Sequence, residues 1–391
     1  MWTAIVGSNP SAMRRMTISA LVERLETIAD PRRPGENLKH RLVDIIVLGF
    51  CGVLAGCDDF VEMAEWATGN AAFFRTFLEL PHGIPSHDTF TRVFALLRPA
   101  TLQEVLLPWL LERRGLPGDW IHLDGKTLRH TRRATPQLKA LHVVSAWAGQ
   151  TGLTLGQVAV DAKSNEITAM PQLLELLDLH DKIVTTDAMG CQKAIVETIV
   201  AGGGDYILAV KDNQPTLHAE IRAAFATAAP PAARSTRLYA TEDQGHGREE
   251  QRTVQVLPAR GQLSAAQCAA WLGVLTIVMV TRVVWCEATG VESTEVSYFL
   301  SSLRPNARRI GTAIRGHWSI ENGLHWVLDV VFREDARRLY DRTAAENVAF
   351  LNRLALSLLR GDTSKGSMKV KRKRAGWQIP YLAQLLGFSS T

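Results

Sequence analysis

Cysteine is scarce in this chain of 391 residues. The five present (Cys51, Cys57, Cys191, Cys268 and Cys286) are odd in number and form no C-x-x-C pair, which argues against a disulfide framework and against a zinc knuckle. A reducing cytoplasm is the default compartment. Long hydrophobic runs are missing too. The longest, LVDIIVLGFCGVLAG from Leu42 to Gly56, is shorter than the ~20 residues a bilayer needs and carries Asp44, so it reads as a buried helix. The N-terminal stretch MWTAIVGSNPSAMRRM lacks the charged start and long apolar segment of an export signal. Residues 1–16 are expected to be disordered. No Walker A loop, dinucleotide fingerprint, nucleophile elbow or H-E-x-x-H occurs, so P-loop, Rossmann, serine-hydrolase and zincin chemistry have no motif to rest on.

What is present is a globular composition, 46% hydrophobic, long enough for two or three domains. The formal net charge of +5 is compatible with a polyanionic partner but is common among ordinary proteins. Residues 17–116 read as an all-helical domain, with helices in TISALVERLETIAD, in the Leu42 run, in DFVEMAEWATGNAAFFRTFLEL, in SHDTFTRVFALLRP behind an N-cap at Ser86, and in TLQEVLLPWLLERRG. Such a domain either faces DNA or simply packs.

From residue 119 the period changes. WIHLD, ALHVVSAWA and LTLGQVAV are strand-length, β-branched segments that suggest an antiparallel meander. NEITAMPQLLELLDL (helix), KIVTTDA (strand), CQKAIVETIVAGG (helix) and DYILAVK (strand) follow, giving βββαβαβ across 117–211. A β-rich insertion is expected over 212–304, the helical part of the core resumes over 305–360, and 361–391 reads as a basic, flexible tail. Its run SKGSMKVKRKRAGW either binds phosphate or merely solubilises.

The chemistry is carried by acids. Asp124 in IHLDGKTLRH and Asp187 in IVTTDAMGCQ both fall at strand ends, and on neighbouring strands they would emerge at one edge. Two carboxylates so placed repel each other unless a cation lies between them, and magnesium or manganese suits carboxylate oxygens. A third ligand is available in RGHWSIENGLHWVLDVVFRED. Read as a helix, it carries His317, Glu321, His325 and Asp329 on one stripe beside an apolar stripe of Ile320, Leu324, Val327, Leu328 and Val331. Taken singly, each acid reads more simply as a turn, cap or surface residue; the combination shifts the reading. His317 and His325 are too far apart on one helix to share a zinc ion, and are expected to touch phosphate, orient Glu321 or pack. Trp318 and Trp326 are expected in the core rather than as base-stacking platforms.

At these segments, together with LHVVSAWA, LTLGQVAVDAKSNEITAMPQLLELLDL, GGDYILAVKDNQ, DPRRPGENLKHRLVDIIVLGFCGVLAGCDDFVEMAEWA and GIPSHDTFTRVFALL, the chain resembles bacterial insertion-sequence transposases of the H-repeat-associated (ISAs-type) group, over about residues 20 to 360. The resemblance implies the DDE superfamily and an α/β fold: an RNase H-like mixed-sheet core with a β-rich insertion, preceded by a helical domain. It implies Asp124, Asp187 and Glu321 as the acidic triad, two Mg2+ or Mn2+ ions, and DNA transposition through cleavage at the element's ends and strand transfer into target DNA. Partners would be double-stranded DNA and, with ends paired, a second copy in a homodimer, acting in the cytoplasm at the nucleoid. Related transposases often carry a tyrosine seven and an arginine four positions before the glutamate and a lysine seven after it. Here those places hold Ile314, His317 and Leu328, so the phosphate-clamping roles do not transfer. Phosphate contacts are expected instead from Lys126, Arg129, Arg132, Arg133, Lys211, Arg248, Arg315, His317 and Asn322. The alternatives are a domesticated RNase H-like protein that only binds DNA, and a metal-dependent hydrolase of small substrates.

Overall fold

The computed structural model describes residues 18–35, 38–115, 118–131, 140–160, 165–229, 235–245 and 247–388. The segment expected to be disordered at the N-terminus lies outside these residues, as do Arg132 and Arg133.

The helical part comprises α1 (Ile18–Leu25), α2 (Leu42–Ala55), α3 (Phe60–Gly69), α4 (Ala71–Phe74), α5 (His87–Leu96) and α6 (Pro99–Arg114). Every residue of α2 from Leu42 to Leu54 is buried, which accounts for a run that is apolar all round without crossing a membrane. Asp44 inside it accepts a hydrogen bond from the Leu80 amide at 3.1 Å. Ser86 does precede α5, but its side chain makes no capping bond to the helix backbone.

The sheet begins with β1 (Trp120–Leu128), β2 (Leu141–Ala148) and β3 (Leu153–Val160), the expected antiparallel meander. Helix α7 (Glu166–Glu175) leads to β4 (Ile183–Thr186), which pairs parallel to β1. Helix α8 (Lys193–Ala201) leads to β5 (Asp205–Val210), parallel to β4. The order β3-β2-β1-β4-β5 is the RNase H-like layout that the resemblance implies. After α9 (Pro215–Thr227), the β-rich region supplies β6 (Leu238–Gly245), β7 (Arg248–Pro258), a short α10 (Ala265–Ala270), β8 (Thr276–Cys286) and β9 (Val291–Ser301). These strands form no second layer. Because β9 pairs with β5, they extend the same sheet to nine strands ending in β9-β8-β7-β6.

The chain then runs through α11 (Ala307–His317), a π-helical segment Glu321–His325, α12 (Trp326–Val330), α13 (Arg342–Gly361), α14 (Met368–Trp377) and α15 (Ile379–Leu386). Alternation along β4 separates the two faces of the sheet. Val184 packs in one apolar cluster with Ile195, Val196 and Ile199 of α8, whereas Ile183 packs in another with Ile310, Ala313 and Ile314 of α11. Helix α13, buried on every side chain from Ala344 to Leu359 except Glu346, packs against α5, α6, β2 and β3 and so joins the helical part to the sheet.

The basic run read as a flexible tail is a docked helix, α14. Lys371 and Arg372 are buried: the Lys371 ammonium donates to Asp362 O at 2.6 Å, and the Arg372 guanidinium donates to Val53 O at 3.1 Å and Val331 O at 2.6 Å while lying 4.4 Å from the Phe332 ring centroid. Carbonyls at helix C-terminal ends lack partners within their own helix, and these cations supply them. Sequence charge alone does not distinguish a cation that caps a buried helix end from one that is solvated.

Candidate acidic active site

The site is built by a mismatch in strand length. Strand β1 pairs with β2 as far as Leu128, but with β4 only as far as Leu123↔Thr186. Asp124 is therefore not the last residue of its strand, as its sequence suggested, but the first beyond the parallel ladder. One further step in the same register sets it beside Asp187, which directly follows β4, on strands ~4.8 Å apart. Alternation puts His122, Asp124 and Lys126 on one face, and Thr185 and Asp187 on the same face; the His122 Nδ1 lies 2.7 Å from Thr185 Oγ1.

Burial pushes the Asp187 carboxyl above the usual carboxylate range, and the negative charges of Asp124 and Glu166 push it further against the opposing hydrogen bond from the Gly190 amide at 3.2 Å. Asp124 has both oxygens engaged: Oδ1 accepts from the Gly125 amide at 2.9 Å and Oδ2 lies 3.0 Å from His325 Nε2. Two carboxylates crowded at one sheet edge, one of them held off its normal ionisation, are a donor set that suits a hard divalent cation, which would relieve their repulsion.

Helix α11, the π segment and α12 lie over this face. His317 Nδ1 is 2.8 Å from Thr185 Oγ1, and Asp329 Oδ1 is 2.7 Å from the Lys126 ammonium. Thus 317, 325 and 329 of the expected stripe meet side chains of β1 and β4, but Glu321 does not: it is exposed, with Asn322 beside it. The Trp326 amide bonds to Glu321 O, so the helix widens at this point and breaks the regular four-residue stripe that sequence spacing assumed. Among the described residues, no three His, Cys, Asp or Glu side chains converge to hold a metal ion in this arrangement. Asp124 and Asp187 are together; Glu321 is carried on the helix that covers them.

Several expected phosphate contacts are differently employed. Lys126 is buried, its ammonium 2.7 Å from Asp329, 3.0 Å from Asp335 and 3.5 Å from Glu334. It lies on the same face of β1 as Asp124, with its ammonium occupied by these three carboxylates. His317 is committed to Thr185, and burial lowers its pKa. Arg315 is exposed but paired with Asp243 at 2.5 Å. Arg129 is 79% exposed, with Asp335 at 3.4 Å, and Lys211, Arg248 and Asn322 are exposed. Trp318 and Trp326, expected in the core, are 53% and 56% exposed, since Ile320, Leu324, Val327 and Leu328 take the buried side of this stretch.

Sequence reasoning missed a polar chain across the opposite face of β1. Thr127 Oγ1 lies 2.7 Å from His142 Nδ1, and His142 Nε2 lies 2.6 Å from Glu166 Oε1. A Cβ on Gly125 would fall 2.3 Å from that Glu166 oxygen, so glycine lets the carboxylate take this place beside His142 without being pushed aside. The available signal was His142, a titratable residue in the mostly apolar strand LHVVSAWA. Also unforeseen was the buried network behind Lys126, in which Glu334 pairs with Arg353 at 3.0 Å and accepts from Asn352 at 3.1 Å. No described helix is long and apolar enough to cross a membrane.

Known proteins match this chain along most of its length. The profile described as DDE_Tnp_1-associated covers residues 22–110, the helical part, and that described as Transposase DDE domain covers residues 118–358, the sheet and the helices that close it. The chain is 35% identical to the Escherichia coli (strain K12) protein named "H repeat-associated putative transposase YhhI" over 380 residues, 96% of this chain and 99% of that one. A Xanthobacter autotrophicus protein, "Uncharacterized protein in dhlA 3'region", is 41% identical over 65% of this chain and 85% of its own length. Among solved structures, a piggyBac transposase synaptic complex with hairpin DNA aligns at a TM-score of 0.39 and 9% identity, covering 96% of this chain and 78% of that one. A sheet edge that presents paired aspartates beneath a glutamate-bearing helix, inside a region matched from end to end by the DDE profile, places this chain in the DDE transposase family.

Proposed function

We propose that this protein cleaves DNA at the ends of an insertion sequence and joins the freed 3′ ends to target DNA, with Asp124, Asp187 and Glu321 as its acidic triad and two Mg2+ or Mn2+ ions as cofactors. The observation that carries the reading is the adjacency of Asp124 and Asp187 where the β1–β4 ladder ends, on the face covered by the helix bearing Glu321. Bound divalent ions would supply a water of lowered pKa and neutralise charge building on the phosphodiester.

The chain's own residues supply the rest. Asp124, Asp187 and Glu321 would hold the divalent ions. Glu321 is exposed on the helix that covers the aspartates, so reaching them requires its turn to move inward, and a duplex seated against that helix would drive the movement. Arg129, Lys211, Arg248 and Asn322, all exposed, are the phosphate contacts available to position terminal repeats and target duplex. Two copies pairing two ends would complete the reaction.

Cleavage of a labelled terminal-repeat duplex in magnesium tests this. Asp187→Asn and Glu321→Gln are each expected to reduce cleavage by a factor on the order of 10²–10³, as when a group acting on developing charge is removed. If both variants bind the duplex and cut it like the parent, the catalytic reading is wrong. If the parent binds without cutting, the DNA-binding alternative stands.

A further inference from the structure

His325 is used by none of the roles above, yet it is the residue that touches the first aspartate. Its Nε2 lies 3.0 Å from Asp124 Oδ2, its side chain is 13% exposed, and its Nδ1 is buried without a hydrogen-bond partner. Asp124 Oδ1 is meanwhile fixed by the Gly125 amide at 2.9 Å. A carboxylate gripped at both oxygens has one orientation, with one lone pair on each oxygen left over for a cation.

The proton inventory fits this use. With hydrogen on Nε2, the donor faces the carboxylate and the buried Nδ1 is left with a lone pair rather than an unmatched N–H, the less costly of the two orphans. The π-helical segment ties His325 to Glu321. The Trp326 amide reaches back to Glu321 O, so the two side chains occupy the two ends of one widened turn, His325 directed inward and Glu321 outward. Any movement of this turn therefore acts on Asp124 and Glu321 together.

We propose that His325 is a positioning residue: its Nε2–H orients the Asp124 carboxylate for cation binding and fixes the glutamate-bearing turn against β1. This rests on the reading of Asp124 as a ligand. Carboxylates that bind metals work best when outer hydrogen bonds fix their orientation, and loss of such a partner typically weakens metal binding by about 10–100-fold.

The test is Mn2+ titration of the full-length protein, followed by electron paramagnetic resonance of the free ion, with His325→Ala, His325→Met and His325→Gln. Glutamine can place an N–H where Nε2 stands; methionine fills the volume without a donor. His325→Ala and His325→Met are expected to weaken Mn2+ binding by about 10–100-fold, His325→Gln by no more than about threefold, with the thermal midpoint of Met and Gln variants alike. A purely packing role predicts the reverse pairing, with Met retaining affinity and Gln losing it, and that result overturns the proposal, as does unchanged affinity in all three. Asp124→Asn separates the two layers. If it leaves Mn2+ binding intact, the reading of the site fails; if it abolishes binding while His325→Met binds normally, only the role of His325 falls.

Discussion

Lys126 and Asp329 are joined at 2.7 Å across the gap between β1 and α12, with the lysine side chain only 7% exposed. The same ammonium serves Asp335 and Glu334, and Glu334 is itself buried against Arg353, so a chain of charges runs from the strand of Asp124 into the helices that close the site. Removing one member strands the others. Lys126→Met is expected to destabilise the fold by about 3–5 kcal/mol, the cost of leaving buried charge uncompensated, measured by urea unfolding.

A second prediction separates Lys126 from a true phosphate contact. Arg129, 79% exposed, should contribute one released counterion to DNA binding, so Arg129→Ala is expected to lower the slope of log affinity against log salt by about 1. Lys126→Arg, which keeps the charge inside, should leave that slope alone. Equal slope changes in the two variants would mean that Lys126 reaches DNA.

The docking of α14 can be tested at Gly376. A Cβ there would lie 2.2 Å from the Ala55 carbonyl oxygen, a backbone atom at the end of α2 that cannot swing aside, and Trp66 Nε1 donates to Gly376 O at 3.2 Å. Gly376→Ala is expected to cost on the order of 1–3 kcal/mol by overpacking and to expose α14 to limited proteolysis. A variant as stable and resistant as the parent would show that this helix is not held there.

Acid should loosen the same region. Burial alone would raise the Asp362 pKa, but hydrogen bonds from Ser364 and Tyr381 and the nearby Lys371 ammonium outweigh it and hold the carboxyl down at about 2, against 3.8 for the free group. Because the folded value is the lower one, its contribution is complete above pH 3.8 and is lost as pH falls from there through about 2. Asp362→Asn should cost roughly 1–2 kcal/mol near neutrality and converge with the parent in strong acid. A gap that persists unchanged at low pH would assign the loss to shape rather than charge.

How far the sequence could be read follows from what each signal encodes. The meander and the two crossovers are written in period and length, and β1 to β5 match them. Asp124 and Asp187 are readable because their polarity breaks an apolar strand at a definite register. Lys126 is not: two positions past Asp124 it looks like any basic residue after a strand, and its burial depends on Asp329, Glu334 and Asp335, which lie more than 200 positions away. Arg372 fails for the same reason, since one carbonyl it caps, Val53 O at the end of α2, lies 319 positions away; Lys371 caps the nearby Asp362 O, but its burial follows only from the docking of α14. Trp318 and Trp326 were misplaced because hydrophobicity does not specify which face is outward. The widened turn at Glu321–His325 has no periodic signature and alters which stripe members reach the strand.

The central claim is that residues 124, 187 and 321 serve one metal centre on DNA. The most direct measurement loads Fe2+ into the complex of the protein with a terminal-repeat duplex, adds ascorbate and peroxide, and maps where the hydroxyl radicals cut the polypeptide. Cuts concentrated around Asp124, Asp187 and the Glu321 turn together, and suppressed by excess Mg2+, are the predicted result. Cuts near the two aspartates that spare the Glu321 turn even with DNA bound would contradict it.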